Sequence, residues 1–344
     1  MQEKSGCARA FMAIVCVVLG LVLTVMIAGT VYANYLLGLM NRDDGTIQET
    51  LSQEQIDELM QEDMVSDGEA TAPVMKEEDV DWGKDQVDVI ETSSHVVNIM
   101  LIGQDARPGE GRSRSDSMIL VTINKSTKTI TLTSFLRDMY VKIPGYADNK
   151  MNAAYALGGM KLLNATLEQN FGVKVDGNVE VDFKNFAKVI DLLGGVDMEL
   201  RNDEAAYINQ GTGRKELGSG MQHLDGEQAL FYARIRHLDK DADFSRTNRQ
   251  RKVINALIEK FRNTDVLTLM GLLKDLLPMI TTDMKNSEIV DYAADLLPLL
   301  VDCKVVSQRV PGDDDYYFAT INKMSCVVAD MDAARALLEQ TMGK

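Results

Sequence analysis

Histidine and cysteine are scarce in this 344-residue sequence, which has three histidines and four cysteines. The chain has no Cys-x-x-Cys or Cys/His spacing typical of a zinc site. Three histidines also leave little room for a histidine-based catalytic site. The pattern GxxxxGK[ST] is missing as well, so the sequence excludes a P-loop nucleotide site.

Charge is missing from one long stretch near the N-terminus. No charged residue occurs between Arg9 and Arg42, and the chain from Phe11 to Val31 is almost continuously apolar. About 20 apolar residues span a bilayer core as a helix, and positive flanks stay in the cytoplasm. The alternative is a cleaved signal peptide, but its apolar region is shorter, at about 7–15 residues. We predict a cytoplasmic N-terminus (1–9) and a transmembrane signal anchor (10–34) that crosses the cell membrane once, with the remaining chain extracellular.

The acidity of the chain belongs to one segment. Residues 41–91 contain 17 acidic and 3 basic residues, a net charge of -14, whereas residues 92–344 contain 34 and 31, a net charge of -3. High charge with few aromatic residues is typical of disorder. We therefore predict an acidic disordered stalk at 41–91 and an extracellular catalytic domain at 92–344. Cys303 and Cys326 lie in that domain, where a disulfide is chemically permitted, and the sequence leaves their pairing open.

Predicted strands and helices alternate along this domain. A strand ends at Gly103, two strands flank a turn at Asn124–Lys128, and "NVEVDF", "VDMEL" and a closing "CKVVSQRV" are further strands. Predicted helices include one interrupted at Gly158-Gly159 and stopped at Gly172, "KNFAKVIDLLGG", one capped by Asp225, "FSRTNRQRKVINALIEKF", and two near Val266–Ile280 and Asn286–Leu300. The alternation predicts an α/β or α+β fold, with a single mixed β-sheet flanked by helices.

Two loops bring cations and carboxylates to strand ends. In "GQDARPGEGRSRSDSM", Asp105 and Asp116 are candidate oxygen ligands for Mg²⁺, next to Arg107, Arg112 and Arg114. In "SFLRDMY", Arg137 and Asp138 end the next strand. Because the end of the second strand of a hairpin lies beside the start of the first, these two clusters should meet. The alternatives are a polar surface hairpin and an ordinary ion pair at a strand end.

A third cluster is "ARIRHLDKDADFSRTNRQRK", from Ala233 to Lys252. Arg246, Arg249 and Gln250 share one face of a helix and lie in its first turns. A cation there is unfavourable unless an anion binds the helix N-terminus. Arg234 and Arg236 converge only if the chain leaves the preceding helix near Ala233, which we predict.

A solvated basic face, neutralised by nearby aspartates, is the alternative interpretation of this third cluster. Arg251 and Lys252 are expected to point away into water. Guanidinium groups bind phosphate oxygens with two parallel hydrogen bonds, so a pyrophosphate held by arginines, with Mg²⁺ held by aspartates, explains all three clusters. A nucleic-acid site is excluded because the domain is slightly acidic and is predicted to lie outside the cell.

Four long motifs in this domain closely resemble the LytR-CpsA-Psr (LCP) family. They are "RSDSMILVTIN", "TSFLRDMYVKIPGYADNKMNAAYALGG", "DFKNFAKVIDLLGGVDMEL" and "HLDGEQALFYARIRHLDKDADFSRTNRQRKVI", and the resemblance spans roughly residues 95–263. It implies an LCP-type domain and a phosphotransferase. Such enzymes move a glycopolymer (teichoic acid, capsule or a related wall polymer) from an undecaprenyl-pyrophosphate carrier to peptidoglycan through a phosphodiester link.

The resemblance also implies roles for particular residues. The pyrophosphate-holding residues would be Arg114, Arg137, Arg234, Arg236, Arg246 and Gln250, with Lys150 near the site and Asp116 and Asp105 as ligands of Mg²⁺ (or Mn²⁺). Arg114, Arg137 and Asp138 would act in catalysis, with Asp138 or Asp105 accepting the proton of the attacking hydroxyl. The sequence departs from the family's usual pattern at "SFLRD", where a proline commonly precedes the arginine, and at "DFSRT" in place of "DFGRT".

The lipid carrier requires an apolar groove. Its candidate walls are the helices at Lys150–Leu167 and Val253–Leu277, whose apolar stripes otherwise serve core packing. Two other functions use the same residues: hydrolysis of a lipid pyrophosphate without a sugar acceptor, and non-catalytic binding of wall polymer by a membrane-tethered or regulatory protein.

Overall fold

A computed structural model describes residues 29–43, 72–84, 86–104, 114–239, 242–300 and 302–343. The strands are β1 (Asn41–Arg42), β2 (Val96–Gln104), β3 (Ser115–Asn124), β4 (Thr129–Phe135), β5 (Tyr140–Val141), β6 (Asn149–Lys150), β7 (Gly177–Asp182), β8 (Val196–Leu200), β9 (Gly220–Leu224), β10 (Thr281–Thr282), β11 (Lys304–Val310), β12 (Tyr316–Ile321) and β13 (Met324–Ala329). The helices are α1 (Met151–Phe171), α2 (Phe183–Leu192), α3 (Asn202–Thr212), α4 (Gly226–Arg234), α5 (Ala242–Asn263), α6 (Val266–Leu276), α7 (Asn286–Leu300) and α8 (Met331–Met342).

Seven of these strands form one mixed sheet in the order β1-β10-β7-β2-β3-β4-β11. Strands β2, β3 and β4 are antiparallel neighbours, whereas β7 is parallel to β2 and β11 is parallel to β4. The predicted mixed α/β fold is confirmed. Three two-stranded ladders, β5-β6, β8-β9 and β12-β13, lie outside this sheet.

The two faces of the sheet are covered by different helices, because successive side chains of a strand point to opposite faces. On one face, Met100 and Leu120 belong to the core that contains α1 and α8. On the other face, Ile99 and Ile119 pack with residues of α5 and α7. A separate apolar cluster joins α2, α3, α4 and α5 to β8 and β9.

Helix α1 confirms the predicted interruption and stop. Gly158 and Gly159 have non-helical backbone angles within it, and Gly172 ends it in the left-handed conformation, with φ of 69°. A Cβ atom at position 172 would lie 2.2 Å from the carbonyl oxygen of Asp88. The stop therefore requires glycine both for its backbone angle and for its contact with the chain that precedes β2.

The chain does not close on β11 as predicted, since the β12-β13 hairpin and α8 follow it. The hairpin turns at Asn322 and Lys323, both with positive φ, and a bridge between Met139 and Val327 joins it to the chain after β4. Sequence reasoning missed these elements because "NK" is a weaker turn signal than a glycine-containing pair.

Parts of the segment predicted as a stalk pack against the domain. Val80 is buried in a cluster with the β12-β13 hairpin, and Trp82 packs against that cluster. Near the N-terminus, residues 29–37 are helical, and Leu36 packs with Leu277. Residues 1–28 and 44–71 lie outside the described residues, and so does most of the predicted anchor. None of the described helices is long and apolar enough to cross a membrane.

Cys303 and Cys326 do not form a disulfide in this structure. Cys303 is half-buried and Cys326 is buried.

Candidate active site

Two successive helices present the arginines of the third cluster to one cavity. Helix α4 ends at Arg234, and Ile235 has an extended backbone with ψ of 126°. The chain therefore leaves the helix after Arg234, one residue from the predicted exit near Ala233, and Arg236 lies beyond the helix end. Helix α5 begins at Ala242, which places Arg246 and Gln250 in its first turns.

A cavity of about 490 Å³ lies between these helices and the ends of β3 and β4. It is lined by Asp116, Arg137, Phe183, Tyr207, Leu230, Phe231, Arg234, Arg236, Arg246 and Gln250. Its volume is in the range of ordinary small-molecule sites. Four of the arginines predicted to hold pyrophosphate line it, together with Gln250.

Asp116 is the carboxylate at the centre of these arginines. Arg137 donates a hydrogen bond from Nη1 to Asp116 Oδ1 at 2.6 Å. Nitrogens of Arg246 and Arg236 lie 3.6 and 3.7 Å from the same oxygen. The hairpin geometry inferred from the sequence is therefore confirmed, and Asp116 partly neutralises a group of three cations that would otherwise repel one another.

Asp138 and Lys150 lie behind this cavity and do not line it. The Asp138 carboxylate forms ion pairs with Arg137, at 3.3 Å from Nε, and with Lys150, at 3.4 Å from Nζ. Lys150 is buried. Asp138 thus pairs with Arg137 at Nε and Asp116 pairs with it at Nη1, and together they fix the direction of its guanidinium group. Arg114 immediately precedes β3, two residues before Asp116.

Arg249 does not face the cavity with Arg246 and Gln250. Its Nε donates to Glu204 Oε1 at 2.9 Å, and its Nη1 donates to the carbonyl oxygen of Ile235 at 3.3 Å. Its Nη2 donates to Asp239, which also accepts from Arg201 at 2.8 Å. Burial opposes ionisation of Asp239, but these two hydrogen bonds outweigh it and lower its pKa. Arg249 therefore stabilises the turn from Ile235 to Asp239, which contains Arg236.

Arg251 does not point into water, as was expected, but is buried. Only 6% of its surface is exposed, because this side of α5 lies against β11. Sequence periodicity identified the two polar faces of α5 but could not show that the sheet covers one of them.

An aromatic residue that the sequence reasoning missed supports Arg234. The Arg234 guanidinium carbon lies 4.8 Å from the centre of the Phe183 ring, a cation–π contact. Phe183 was assigned to the end of a strand, but β7 ends at Asp182 and Phe183 is the first residue of α2. Its position just beyond the carboxyl end of a strand is the signal that could have identified it.

A narrower apolar cavity adjoins the arginine-lined one and shares Phe183, Leu230, Arg234 and Gln250 with it. Its remaining lining consists of Leu101, Ile102, Gly103, Ser117, Ile119, Val179, Val181, Phe186, Ala233 and Ile254. The sheet thus forms one wall, and α2, α4 and α5 form the other. The predicted wall at Lys150–Leu167 does not line this cavity, because α1 packs on the opposite face of the sheet. The second predicted wall, Val253–Leu277, contributes Ile254 to the lining of this cavity.

The sequence model of the LytR_cpsA_psr family matches residues 63–341. The chain belongs to this family. A member from Bacillus mycoides (strain KBAB4), named polyisoprenyl-teichoic acid–peptidoglycan teichoic acid transferase TagU, is 30% identical over 299 residues, which are 86% of each chain. A member of the same name from Bacillus licheniformis is 31% identical over 264 residues, 74% of this chain and 83% of that protein.

Solved LCP structures share the fold. B. subtilis TagT is 26% identical with a TM-score of 0.58, covering 79% of this chain and 100% of that chain. A structure of TagT bound to LIIa-WTA is 27% identical with a TM-score of 0.60, covering 75% and 100%. The family protein YwtF (TagT) with bound octaprenyl pyrophosphate lipid is 25% identical with a TM-score of 0.56, covering 79% and 99%.

Of the two aspartates predicted to bind Mg²⁺, Asp116 lies in the described residues, and its three arginine contacts all use Oδ1. Asp105, the second expected ligand, lies outside the described residues. No group of three or more histidine, cysteine or acidic side chains suited to a metal occurs in the described part of the chain.

Proposed function

We propose that this protein transfers a glycopolymer from an undecaprenyl-pyrophosphate carrier to peptidoglycan and forms a phosphodiester link. The main support is the continuity of the two cavities. One is lined by four arginines and the other is apolar, and they share Arg234 and Gln250. A polar headgroup attached to a long apolar chain matches this pair of cavities, whereas a free sugar phosphate would leave the apolar cavity without a function.

The arginines would bind the pyrophosphate oxygens. Guanidinium groups donate paired hydrogen bonds to phosphate, and such charge-assisted bonds are about twice as strong as neutral ones. Arg137 and Arg246 are largely buried, with 20% and 3% of their side chains exposed. Their charges are therefore weakly screened by water and act strongly on a bound anion.

In the proposed reaction, an acceptor hydroxyl oxygen attacks the phosphorus that bears the glycan. The bond from that phosphorus to the bridging oxygen breaks, and the lipid phosphate leaves on the opposite side. Negative charge spreads over the transferred group and the leaving group, where the preorganised arginines stabilise it. Undecaprenyl phosphate and a glycan–peptidoglycan phosphodiester are the products.

The acceptor proton requires a base near the cavity. The two candidates are Asp138 and Asp105. Asp138 is held between Arg137 and Lys150 and does not line the cavity, and it also orients Arg137. Asp105 lies outside the described residues. We propose that Asp116 and Asp105 hold Mg²⁺ or Mn²⁺, which would neutralise part of the pyrophosphate charge.

We propose teichoic acid, rather than capsule, as the first polymer to test, because the similar proteins are named teichoic acid transferases. The apolar run near the N-terminus supports a single-pass anchor in the cell membrane, with the catalytic domain outside the cell.

The test is incubation of the full chain with a lipid-pyrophosphate oligosaccharide and peptidoglycan fragments. We expect a linked glycan, identified by mass spectrometry, and its loss in Arg137→Ala and Asp116→Ala. The control is Arg214→Ala, which removes a partly exposed arginine paired with Asp225, outside the cavity lining. Release of phosphate products without linked glycan would establish a hydrolase instead. Polymer binding that survives both variants, with no turnover in the parent protein, would establish a binding protein.

A further inference from the structure

Arg251 is a buried cation that the proposed reaction does not use. Its side chain lies between α5 and β11, and its Nε and Nη1 atoms have no hydrogen-bond partner among the described residues. The nearby charges are a second cation, Arg309, and the carboxylate of Asp313. Burial, reinforced by Arg309, lowers the pKa of Arg251 to about 10. Two adjacent guanidinium groups with unused donors are arranged to receive an anion.

Arg309 joins this cationic pair to an aromatic surface. Its guanidinium carbon lies 4.3 Å from the centre of the Phe244 ring. Phe244 stacks on Tyr316 at 4.4 Å, and Phe318 meets both rings edge-on. Phe318 is 51% exposed. We call Arg251, Arg309, Phe244, Tyr316 and Phe318 the edge platform, because β11 is the edge strand of the sheet.

The carboxylate of Asp313 is the ion-pair partner of Arg309 in this structure. It accepts a hydrogen bond from Arg309 Nη2, but its own side chain is 86% exposed. The Arg309 side chain is 18% exposed, so only the Asp313 end of this pair is open to solvent. An incoming anion that displaces Asp313 gains Arg309 as its partner, next to the charge of Arg251.

The edge platform lies beside the arginine-lined cavity. Phe244 precedes Arg246 by two residues on α5, and Arg309 is paired with Ser134, three residues before Arg137. Three extended residues span at most about 10 Å. The apolar cavity lies on the other side, under β7, β2 and β3. Along the sheet the order is apolar cavity, arginine-lined cavity and edge platform.

We propose that the edge platform binds the acceptor, a glycan strand that carries carboxylate groups. This inference rests on the proposed function and names the acceptor subsite of the same site. In an in-line displacement the attacking oxygen and the leaving oxygen lie on opposite sides of phosphorus. If the leaving lipid phosphate points into the apolar cavity, the acceptor hydroxyl enters from the side of the edge platform.

The chemistry of the edge platform fits a peptidoglycan fragment. A carboxylate of the fragment accepts hydrogen bonds from Arg309, and its negative charge also offsets part of the cost of the nearby buried Arg251 cation. The C–H face of a pyranose ring rests on Phe318, because aromatic faces attract the positive edges of C–H groups. Repeated phosphates of a teichoic-acid chain are a second anionic source, and the experiment separates the two.

The test is calorimetric titration of the full chain, in detergent, with a disaccharide–tripeptide fragment of peptidoglycan and, separately, with a glycerol-phosphate oligomer. We expect Arg309→Gln to raise the Kd for the peptidoglycan fragment by about tenfold or more, since it loses charge-assisted hydrogen bonds. Arg251→Gln should raise the same Kd by about several-fold, since it removes a positive charge near the bound carboxylate. Phe318→Ala should raise the same Kd several-fold. The matched control is Tyr317→Ala, which removes a neighbouring ring of similar exposure (46%) that points to the opposite side of the β12-β13 hairpin.

Transfer kinetics on the same variants complete the test. A higher acceptor KM, with the donor KM within twofold of the parent, supports the acceptor subsite. Three results would each overturn the acceptor subsite. They are a Kd for the fragment that does not change in the variants, a Kd that rises equally in Tyr317→Ala, and binding of the phosphate oligomer without binding of the fragment. The less buried positions 309 and 318 decide the outcome if Arg251→Gln fails to fold. If the fragment binds and its binding requires Arg309, but no linked glycan forms, the proposed function is overturned and the binding subsite is still supported.

Discussion

Arg249→Met is the substitution for which the structure gives the clearest expected magnitude. Arg249 is 3% exposed and Glu204 is 4% exposed, and their hydrogen bond measures 2.9 Å. Removing one partner of a buried ion pair costs about 3–5 kcal/mol, because it leaves an uncompensated charge in the interior. We expect Arg249→Met to lower the free energy of unfolding by that amount.

A double variant tests the physical reason. In Arg249→Met with Glu204→Gln no lone charge is buried, so the combined loss should be smaller than the sum of the two single losses. Contacting residues typically show a coupling of about 0.5–3 kcal/mol. Glu204 also accepts a hydrogen bond from the backbone N–H of Arg201 at 2.9 Å, which glutamine can still accept.

The assay is urea unfolding of the parent, both single variants and the double variant, followed by circular dichroism. We also expect the singly substituted proteins to bind lipid pyrophosphate more weakly, since Arg249 fastens the turn that carries Arg236. Lys76→Met is the control, because Lys76 and its partner Glu78 are both exposed (76% and 73% of their side chains), and it should cost less than about 1 kcal/mol. A loss below 1 kcal/mol in Arg249→Met, or additive losses in the double variant, would refute the reasoning.

Three other expectations concern the site and its surroundings. Asp116→Asn should lower kcat/KM for transfer by roughly 10- to 100-fold, because it weakens a charge-assisted hydrogen bond to Arg137; an unchanged rate would contradict a role for this carboxylate. Leu230→Asp places a charge in the wall shared by both cavities and should raise the KM for a long-chain lipid donor far more than for a short-chain one. The pKa of Asp239 is lowered in the folded state, so its contribution to stability is present above the unfolded pKa of about 3.9 and is lost as pH falls through the lowered value. The urea midpoint should therefore drop between pH 5 and pH 3, and it should drop less in Asp239→Asn.

Much of the fold could be predicted because its signals are local. The Gly158-Gly159 interruption and the Gly172 stop of α1 follow from the backbone freedom of glycine, which acts at the residue itself. The β3-β4 hairpin follows from two apolar strands around a short turn, and its geometry alone brings Arg137 to Asp116. The exit of the chain from α4 near Ala233 followed from the requirement that Arg234 and Arg236 converge.

Other features depended on contacts between distant parts of the chain. Arg249 and Arg251 occupy the same helix as Arg246, yet Arg249 is directed to Glu204, 45 residues earlier, and Arg251 is covered by β11. Helical periodicity places these residues on different faces but carries no information about which surface each face meets.

The amino-acid sequence by itself determined the elements, the hairpin and the set of arginines gathered at one end of the sheet. The tertiary structure decided which of those arginines face the cavity and which pack against the sheet or fasten a turn. It also decided that α2, α4 and α5, rather than α1, wall the apolar cavity. The physical reason is that an apolar stripe requires burial but does not specify its partner, since hydrophobic attraction is non-directional and the partner is selected by the packing of the whole chain.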